Sequence, residues 1–525
     1  MKKFYNFLCI GLAALSASAA MPAGTEQAAM TFTFNDSLVN KTVRMGIYTN
    51  GDFQIQFGDG ELQTGSQSSY YTGTLTNIPV VKIYGNNAYR VLATNLGITK
   101  VDASNAPSLK ILQLDNNQIT DLTLNNNPVM TGIYAAGNRV TNLTGLEGCT
   151  AMKVIDFSEN GTLGGSFDLS QMSSLSKVDL SGNQVTAIVL PKTETLIQVY
   201  MSRNPISTLD VSNLSKLEEL YCDGTRLTSL DLTGCTSLAT LKAFDAQLGS
   251  INLNDCKLLE GLYVQNNQLT SLDLTNNTAI NWLRVEHNQL KTLNTTMLAN
   301  LRSFMADYNE LTEGDFGNNK LLTQLKISHN QLQGINVSNS KNLSWLKVDN
   351  NDIEAVDLSG NPYLYWLECD SNRIASLDVS HNTYLQWLAC ENNRLEALDI
   401  ASNKGLQGLS IQGNDLPEEA LNALIEQLPD VNSVEIGENS AAWCRQLVLS
   451  HKADDEIHID LAQQKGWNVT EIVTTGINDV TASKAIASVK YVNLAGQQSN
   501  VPFDGMNIVV TTYTDGSQSA MKTIK

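Results

Sequence analysis

Leucine and other apolar residues recur along most of this chain in one fixed arrangement. Between residues 96 and 415 the repeating unit reads L-x-x-L-x-φ-x-x-N-x-L-x-x-L-D-φ, where φ is an apolar residue. The segment L-x-φ alternates apolar and polar side chains, which predicts a short strand with one buried face. The asparagine follows where the strand ends, and its amide can bond backbone groups of the turn and of the adjacent unit.

The asparagine serves as an anchor from which the repeat length can be measured. Successive anchors are 21 residues apart, except for one spacing of 22 and one of 23. Thr225 and Ala246 stand in the anchor position of two units, where we expect a weaker hydrogen-bond ladder. The anchors of the other units are Asn117, Asn138, Asn160, Asn183, Asn204, Asn267, Asn288, Asn309, Asn330, Asn351, Asn372, Asn393 and Asn414.

The length of the unit predicts the fold class. A unit of 21 to 23 residues cannot hold a strand, two turns and a full helix, so its outer side should be extended or form a 3₁₀ turn. Stacked units of this kind make a helix-poor parallel β-solenoid of about 15 coils, with equivalent positions about 4.8 Å apart. Because the end coils would expose apolar core, we expect a cap at each end.

This repeat resembles the leucine-rich repeat family, and its short period resembles the bacterial, internalin-like type. The resemblance covers roughly residues 96–415 and is carried by the L-x-x-L-x-φ-x-x-N pattern. It implies a gently curved solenoid whose concave face recognises a protein or another cell-surface ligand.

The segments before the repeat predict export and a β-rich cap. Lys2 and Lys3 precede an apolar stretch and the small-residue sequence Ala17-Ser18-Ala19, a pattern typical of a signal peptide over residues 1–20. Residues 21–95 alternate apolar and polar positions between glycine turns, which predicts a β-rich N-terminal domain. The segment FQIQFGDG within it is similar to the strand-turn core of PKD-like β-sandwich domains.

Two regions follow the repeat. Residues 416–475 predict a small α/β cap, in which Asp415 should cap a helix together with Glu418. Residues 476–525 predict a β tail. The segment GMNIVV with Lys522 and Lys525 resembles the C-terminal sorting modules of Gram-negative type IX secretion, and the plainer interpretation is a β module that ends the chain. The resemblance implies a protein that is secreted or held on the outer surface of a Gram-negative bacterium.

Charge and hydropathy exclude two classes of partner. With 53 acidic and 34 basic residues, the formal charge is −19. We therefore expect no binding to nucleic acid, which requires a cationic surface. After the predicted signal peptide no stretch approaches the roughly 18 apolar residues of a membrane helix, so we expect no membrane insertion.

The cysteines predict a structural role. Cys222, Cys369 and Cys390 occupy the buried φ position, where they should behave as small apolar residues. Cys235 and Cys256 stand ten residues after their anchors, in a position that carries asparagine in other units. In-register neighbours point the same way, which makes the geometry of a disulfide doubtful.

No motif predicts chemistry at a metal or a nucleophile. His287 and His329 share a register but lie two coils apart, which is too far for one metal ion. The sequence contains no catalytic or phosphate-binding motif. We therefore expect a protein that is not an enzyme and that holds no cofactor and no metal.

One face of the predicted sheet carries the candidate ligand-binding residues. Side chains six, four and two positions before each anchor should point outward. Trp345, Trp366 and Trp387 share the first of these positions in consecutive coils, and their rings should stack about 5 Å apart. The candidates on this face are Trp282, Trp345, Trp366, Trp387, Lys347, Glu368, Asp349, Asp370 and Glu391.

These residues leave several interpretations open. Aromatic side chains beside charged ones are typical of a recognition surface, but stacking alone would also explain them, because an aromatic pair contributes about 0.5–1.5 kcal/mol. A protein ligand would use the tryptophans as anchors and, with an acidic rim, should be basic. A glycan would use the indole faces as platforms. Glycan binding through the tryptophans or the N-terminal β domain is therefore the alternative function, and an enzyme ranks third. Calcium at the acidic column is disfavoured, because one carboxylate per strand rarely supplies about six ligands.

Overall fold

The computed structural model describes residues 27–125, 127–434 and 443–474, and further strands between residues 486 and 524. The predicted signal peptide at residues 1–20 lies outside the described residues. The chain divides into two compact units. One extends to Ser450 and includes Glu456–Ile472, and the other combines His451–Asp455 with the chain from Val473 onward.

The N-terminal region contains two antiparallel sheets on a shared apolar core. Their strands are β1 Met30–Phe34, β2 Thr42–Thr49, β3 Phe53–Phe57, β4 Gln63–Gly65, β5 Ser69–Thr74, β6 Val80–Tyr84, β7 Ala88–Leu92 and β8 Ile98–Asp102, with a 3₁₀ turn at Asp36–Leu38. One sheet has the order β4–β3–β6–β1–β8, and the other the order β5–β2–β7. Alternate side chains such as Phe32, Ile47 and Ile55 are fully buried, as the alternating sequence requires.

The repeat region consists almost entirely of three-residue strands. In the main sheet each strand begins one residue before the L-x-φ segment of its unit, so the apolar first residue of that segment is the central residue of the strand and enters the core. The strands are β9 Ile111–Gln113, β10 Asp121–Thr123, β11 Gly132–Tyr134, β12 Asn142–Thr144, β13 Val154–Asp156, β14 Gly164–Asp168, β15 Lys177–Asp179, β16 Gln184–Val189, β17 Gln198–Tyr200, β18 Glu219–Tyr221, β19 Thr240–Lys242, β20 Gly261–Tyr263, β21 Trp282–Arg284, β22 Ser303–Met305, β23 Gln324–Lys326, β24 Trp345–Lys347, β25 Trp366–Glu368, β26 Trp387–Ala389 and β27 Gly408–Ser410.

One long parallel sheet joins these coils. It runs from β7 through β9, β11, β13 and β15 to β17, and then through every strand to β27. Equivalent residues face each other, so Leu346 pairs with Leu325 on one side and Leu367 on the other, and all three are fully buried. The predicted fold class, a helix-poor parallel β leucine-rich repeat solenoid, is confirmed.

The outer side of the coils is extended or turned, as the short unit requires. Strands β8, β10 and β12 pair in parallel there, as do β14 and β16, and a 3₁₀ turn covers Leu146–Gly148. The aspartate of the L-D-φ segment closes a turn with its own backbone. For example, the Oδ1 atom of Asp273 accepts the N–H of Thr275 at 3.0 Å, which is the local bond that aspartate favours in turns.

The residue immediately before each anchor adopts a left-handed backbone conformation. All fifteen such residues have a positive φ angle, from 51° at Asp245 to 68° at Gly413. Glycine and asparagine adopt this conformation at little cost, whereas a bulky residue is strained there. This requirement explains why Gly137, Gly182 and Gly224 stand in this position.

The C-terminal cap continues the main sheet and adds two helices. Its elements are α1 Glu418–Gln427, β28 Gln446–Lys452, α2 Ile459–Gln464 and β29 Asn468–Thr474. Strand β28 pairs in parallel with β27, and α1 buries Leu421, Leu424 and Ile425. The predicted capping by Asp415 is wrong: Pro417 is the N-cap residue and makes no side-chain bond. Asp415 instead donates its N–H to Leu395 O at 2.9 Å and so belongs to the backbone ladder of the coils.

The tail forms an antiparallel sheet. Its strands are β30 Ile486–Asn493, β31 Gln498–Ser499, β32 Met506–Tyr513 and β33 Gln518–Ile524, in the order β31–β30–β32–β33. Lys522 lies in β33, and Lys525 lies outside the described residues.

Candidate functional site: the open sheet face

The anchor asparagines tie each coil to the one before it. In Asn351 the Nδ2 atom donates to Ile327 O of the preceding coil at 3.1 Å and to Val348 O of its own coil at 3.0 Å, while Oδ1 accepts the N–H of Leu332 at 3.1 Å. The same three bonds recur at Asn267, Asn288, Asn309, Asn330, Asn372, Asn393 and Asn414. This ladder holds equivalent residues of successive strands in register.

The ladder is weaker in two coils. Thr225 makes a single bond, from its hydroxyl to Cys222 O at 2.7 Å, and Ala246 has no polar side-chain atom. The strands on either side keep their parallel register. The two substitutions therefore weaken the hydrogen bonding without changing the fold.

Side chains six, four and two positions before each anchor form what we call the open face of the main sheet. Among its candidate residues, three tryptophans form a column in β24, β25 and β26. The ring centroids of Trp345 and Trp366 are 5.1 Å apart with planes at 34°, and those of Trp366 and Trp387 are 5.6 Å apart at 32°. All three indoles are half-buried. The three rings thus stack and remain partly exposed, although the Nε1 atoms of Trp345 and Trp387 are buried.

Both ends of this tryptophan column are covered. The Nζ atom of Lys326 lies 4.6 Å from the ring centroid of Trp345, a cation–π contact. At the other end Trp443, which precedes β28, lies edge-on to Trp366 and Trp387 with centroids 5.2 and 6.2 Å away. The flat faces of these indoles are therefore largely occupied by neighbours within the chain.

Trp282 stands apart from the column. Its neighbours in the same position of adjacent strands are Gly261 and Ser303, which carry no ring. It is 47% exposed, and within the described part of the chain no ring stacks on it and no cation lies over it. The structure thus separates Trp282 from the three tryptophans with which the sequence grouped it.

The charged candidates form a connected set beside the column. Lys347 Nζ is 2.6 Å from Glu368 Oε2 and 3.5 Å from Asp349 Oδ1. Trp366 Nε1 donates to Glu368 Oε1 at 2.7 Å. Asp349 is buried and also accepts the hydroxyl of Ser328. One lysine thus serves two carboxylates, and the surplus charge on this part of the face is negative.

Asp370 receives no such compensation. Burial, and after it the neighbouring carboxylates Asp349, Glu391 and Glu368, raise its pKa to about 7. Burial likewise raises the pKa of Asp307 to about 6, although the N–H of Ser328 donates to it. The acidic column therefore holds crowded carboxylates with high proton affinity, which a cationic partner would relieve.

A second aromatic stack lies beside this acidic column. The rings of His287, Tyr308 and His329 are nearly parallel, with centroids 4.4 and 4.1 Å apart. His329 Nε2 is 3.9 Å from Asp349 Oδ2. The sequence predicted the shared register of the two histidines, but not that Tyr308 would stack between them. All three occupy the left-handed position before an anchor, where large aromatic residues are unusual.

The described cysteines are buried free thiols. They are Cys149, Cys222, Cys235, Cys256, Cys369, Cys390 and Cys444. Cys235 and Cys256 lie in a second polar ladder, in which Asn277 Nδ2 donates to Leu253 O at 3.0 Å and to Cys256 O at 2.8 Å. The Sγ atom of Cys235 donates to Val211 O at 3.2 Å. Cysteine thus replaces asparagine there as a weak donor.

No three histidine, cysteine, aspartate or glutamate side chains in the described part of the chain are placed to hold a metal ion. No helix there is long and apolar enough to cross a membrane.

Known structures share this architecture. The functional domain of the internalin InlJ from Listeria monocytogenes is 21% identical, and the match covers 83% of this chain and 90% of that one with a TM-score of 0.56. The chain has an internalin-like leucine-rich repeat fold. A leucine-rich repeat protein from Leptospira interrogans is 22% identical, with 62% and 90% covered and a TM-score of 0.49. YopM from Yersinia enterocolitica is 20% identical, with 64% and 85% covered and a TM-score of 0.45. No protein-family model and no curated protein matches the sequence.

The InlJ domain is described as including a cysteine ladder. In the present chain Cys235 and Cys256 occupy equivalent positions of adjacent coils. At this level of identity the likeness concerns the fold, so the function must be argued from the open face itself.

Proposed function

We propose that this protein is an exported, non-enzymatic recognition protein that binds a protein ligand on the open face of its main sheet. The observation that carries the proposal is the acidic column next to half-buried indole edges. Aromatic anchors beside a charged rim are the composition of a protein-binding surface. The ligand should be basic, because Asp370 and Glu391 have no ion-pair partner in the described part of the chain, and Lys347 alone faces both Asp349 and Glu368.

Export is part of this proposal and rests on the sequence. Lys2, Lys3 and the small-residue sequence Ala17-Ser18-Ala19 support a signal peptide. The resemblance of the tail to type IX sorting modules supports secretion or attachment at the outer surface of a Gram-negative bacterium. The domain boundaries proposed from the sequence are residues 21–95, 96–415, 416–475 and 476–525.

Glycan binding through the tryptophan column receives less support. A sugar ring stacks on the flat face of an indole, and these faces are covered by Lys326, by each other and by Trp443. The N-terminal β domain remains the other place for a glycan, and an enzyme remains the third hypothesis.

The test uses charge reversal, because removal of the tryptophans would also unpack Trp443. In the double variant Asp370→Lys and Glu391→Lys, both changes lie on the open face. The matched control, Glu354→Lys with Glu396→Lys, makes the same change in net charge at exposed positions three residues after two anchors. Both variants and the wild type would be used to capture proteins from host and bacterial extracts, with a glycan array in parallel.

We expect ligands that the wild type and the control capture and the face variant loses, with an affinity change of at least about tenfold. If the face variant and the control capture the same proteins as the wild type, the open face is not the binding surface. If the array yields a glycan while no protein is captured, the alternative function replaces the proposed one. Turnover of a chromogenic sugar or peptide by the purified protein would support the enzyme hypothesis instead.

A further inference from the structure

Strand β5 is the last strand of the main sheet at its N-terminal end. All six of its residues pair with β2 without a break in register, and β2 pairs with β7, from which the coils follow. Among the residues that the structure describes, no strand pairs with the other side of β5. The backbone N–H and C=O groups on that side can therefore pair with a further strand.

The composition of β5 does not protect this edge. Monomeric proteins commonly block an edge strand with a charged side chain, a proline or a bulge. The sequence Ser-Tyr-Tyr-Thr-Gly-Thr of β5 contains no charge and no proline, and its pairing with β2 has no bulge. Ser69, Tyr70, Thr72 and Thr74 are exposed, and tyrosine and threonine favour strands. The exposed edge is thus well suited to strand pairing.

A second copy of the same strand fits this edge. In an antiparallel pair, directly opposite side chains lie on the same side of the sheet. A two-fold axis at Thr72 would set this residue opposite its counterpart and Tyr70 opposite Thr74. Pairs of two threonines, and pairs of an aromatic with a β-branched residue, are favourable across strands. Because β5 is uncharged, no like charges meet along it, although each chain carries a formal charge of −19.

Gly73 favours this register over its neighbours. A Cβ atom at Gly73 would collide with the ring of Phe57, so the position must remain glycine and lacks a side chain to cover the strand. Tyr71 is held half-buried, edge-on to Phe53 with ring centroids 5.0 Å apart. With the axis at Thr72, Tyr71 of each copy lies opposite Gly73 of the other. An aromatic side chain opposite an edge glycine compensates for the missing side chain.

We propose that two copies of this protein pair through β5, antiparallel and about a two-fold axis at Thr72, so that their main sheets join into one. A two-fold contact uses the same surface on both copies and closes both edges. Strand pairing alone buries less area than a stable dimer interface does, so we expect a Kd on the order of 10 µM.

The pairing has a consequence for the open face. Tyr70 lies opposite Gly46, Gly46 opposite Leu92, and Leu92 opposite Gln113, which is an open-face position. Because opposite side chains stay on the same side of the joined sheet, the open faces of both copies would turn the same way. The dimer would thus present two faces to one ligand-bearing surface, which increases avidity. The inference goes beyond the proposed function and does not depend on it.

Sedimentation velocity of the intact protein, from roughly 1 to 200 µM, tests the pairing. We expect the wild type to dimerise as its concentration rises. Thr72→Lys and Thr72→Glu should each raise the Kd at least about tenfold, because like charges then face each other at the axis. An equimolar mixture of the two variants should dimerise again, since lysine now faces glutamate. Thr228→Lys, at another exposed threonine, is the matched control and should dimerise like the wild type.

The proposal is overturned if the wild type stays monomeric throughout this range, since the edge then remains single or serves a strand of another protein. It is also overturned if each Thr72 variant dimerises as the wild type does, because the contact would then lie elsewhere. A mixture that stays monomeric, although both variants unfold at the wild-type midpoint, contradicts the register. If a variant does not fold, hydrogen exchange of the wild type decides: it should slow in β5 as concentration rises, and an unchanged rate overturns the pairing.

Discussion

The ring of Trp443 lies edge-on to the ring of Trp366, with centroids 5.2 Å apart and planes at 80°. The two residues are 77 positions apart in the sequence, and they join the C-terminal cap to the open face of the sheet. Gly408 makes room for this contact, because a Cβ atom there would lie 2.4 Å from Trp443 O and 2.3 Å from Cε3 of Trp387.

Replacement of Trp443 by alanine should loosen the last coils. It removes two edge-to-face contacts and the apolar area they cover, so we expect a loss of about 2 kcal/mol in unfolding free energy. Denaturant unfolding followed by near-ultraviolet circular dichroism measures this, and hydrogen exchange should increase first in β26 and β27. Trp282→Ala, which removes no ring contact, should shift stability by less than about 0.5 kcal/mol. Equal losses in the two variants would contradict this account.

The hydrogen-bond ladder of the anchor residues lacks an amide at Ala246, and a substitution can supply one. Ala246→Asn should place an amide between coils that lack one and raise the unfolding free energy by about 1 kcal/mol. The reverse change, Asn267→Ala, leaves a buried N–H of Leu248 and two buried carbonyls without their partner, so it should cost about 3 kcal/mol. Urea denaturation of both variants tests the pair. A destabilising Ala246→Asn would show that this coil cannot accommodate the amide.

The stability of the open face should depend on pH through Asp370. Its folded pKa, about 7, lies above its ordinary value, so its contribution is complete below about pH 4 and is lost as pH rises to 7. Asp370→Asn should therefore be more stable than the wild type above pH 7, by about 2 kcal/mol, and gain nothing near pH 4. Urea midpoints across this range measure the difference.

Asp357→Asn provides the opposite case. Hydrogen bonds from Ser359 lower the pKa of this exposed carboxyl group, so its contribution is present at neutral pH and is lost as pH falls. The variant should be less stable than the wild type at pH 7 and equal to it in strong acid. If both variants show the same pH dependence, net charge and not the local surroundings is responsible.

The buried thiols should react slowly in the folded protein. Burial raises the pKa of Cys149 and of Cys256 to about 12, and it raises that of Cys369 well above its usual range. Because the thiolate is the reactive form, a disulfide reagent should modify these cysteines only after unfolding. Spectrophotometric thiol titration with and without guanidinium tests this. Rapid modification of Cys256 without denaturant would mean that its coil opens locally.

Much of the solenoid follows directly from the repeat. Each unit places Leu and Asn at the same offsets, so equivalent side chains such as Trp345 and Trp366 become neighbours once the coils stack. The left-handed residue before each anchor also leaves a signal in the sequence, since Gly137, Gly182 and Gly224 stand in that position. The covering of the tryptophans could not be inferred in this way. Trp443 lies outside the repeat, so no period relates it to Trp366.

The repeat pattern also does not predict how exposed each side chain is. Trp282 and Trp366 occupy the same position in their units, yet one has a free face and the other does not. The difference depends on whether the adjacent strands carry Gly261 and Ser303 or further tryptophans. The repeat predicts which residues are adjacent, but the exposure of each depends on the size of its neighbours.

The bonds of the anchor asparagines all reach backward along the chain. Each amide bonds backbone groups of the previous coil, as Asn351 does when it accepts the N–H of Leu332. The backbone groups of every coil are therefore satisfied only when the next coil is present. The array is directional: its first coil pairs with β7 of the N-terminal region, and its last coil must be completed by residues that lie outside the repeat. Here Val448 O and the hydroxyl of Ser450 receive the N–H groups of Ile411 and Gly413. A chain that ended before β28 would leave the N–H groups of Ile411 and Gly413 without these acceptors.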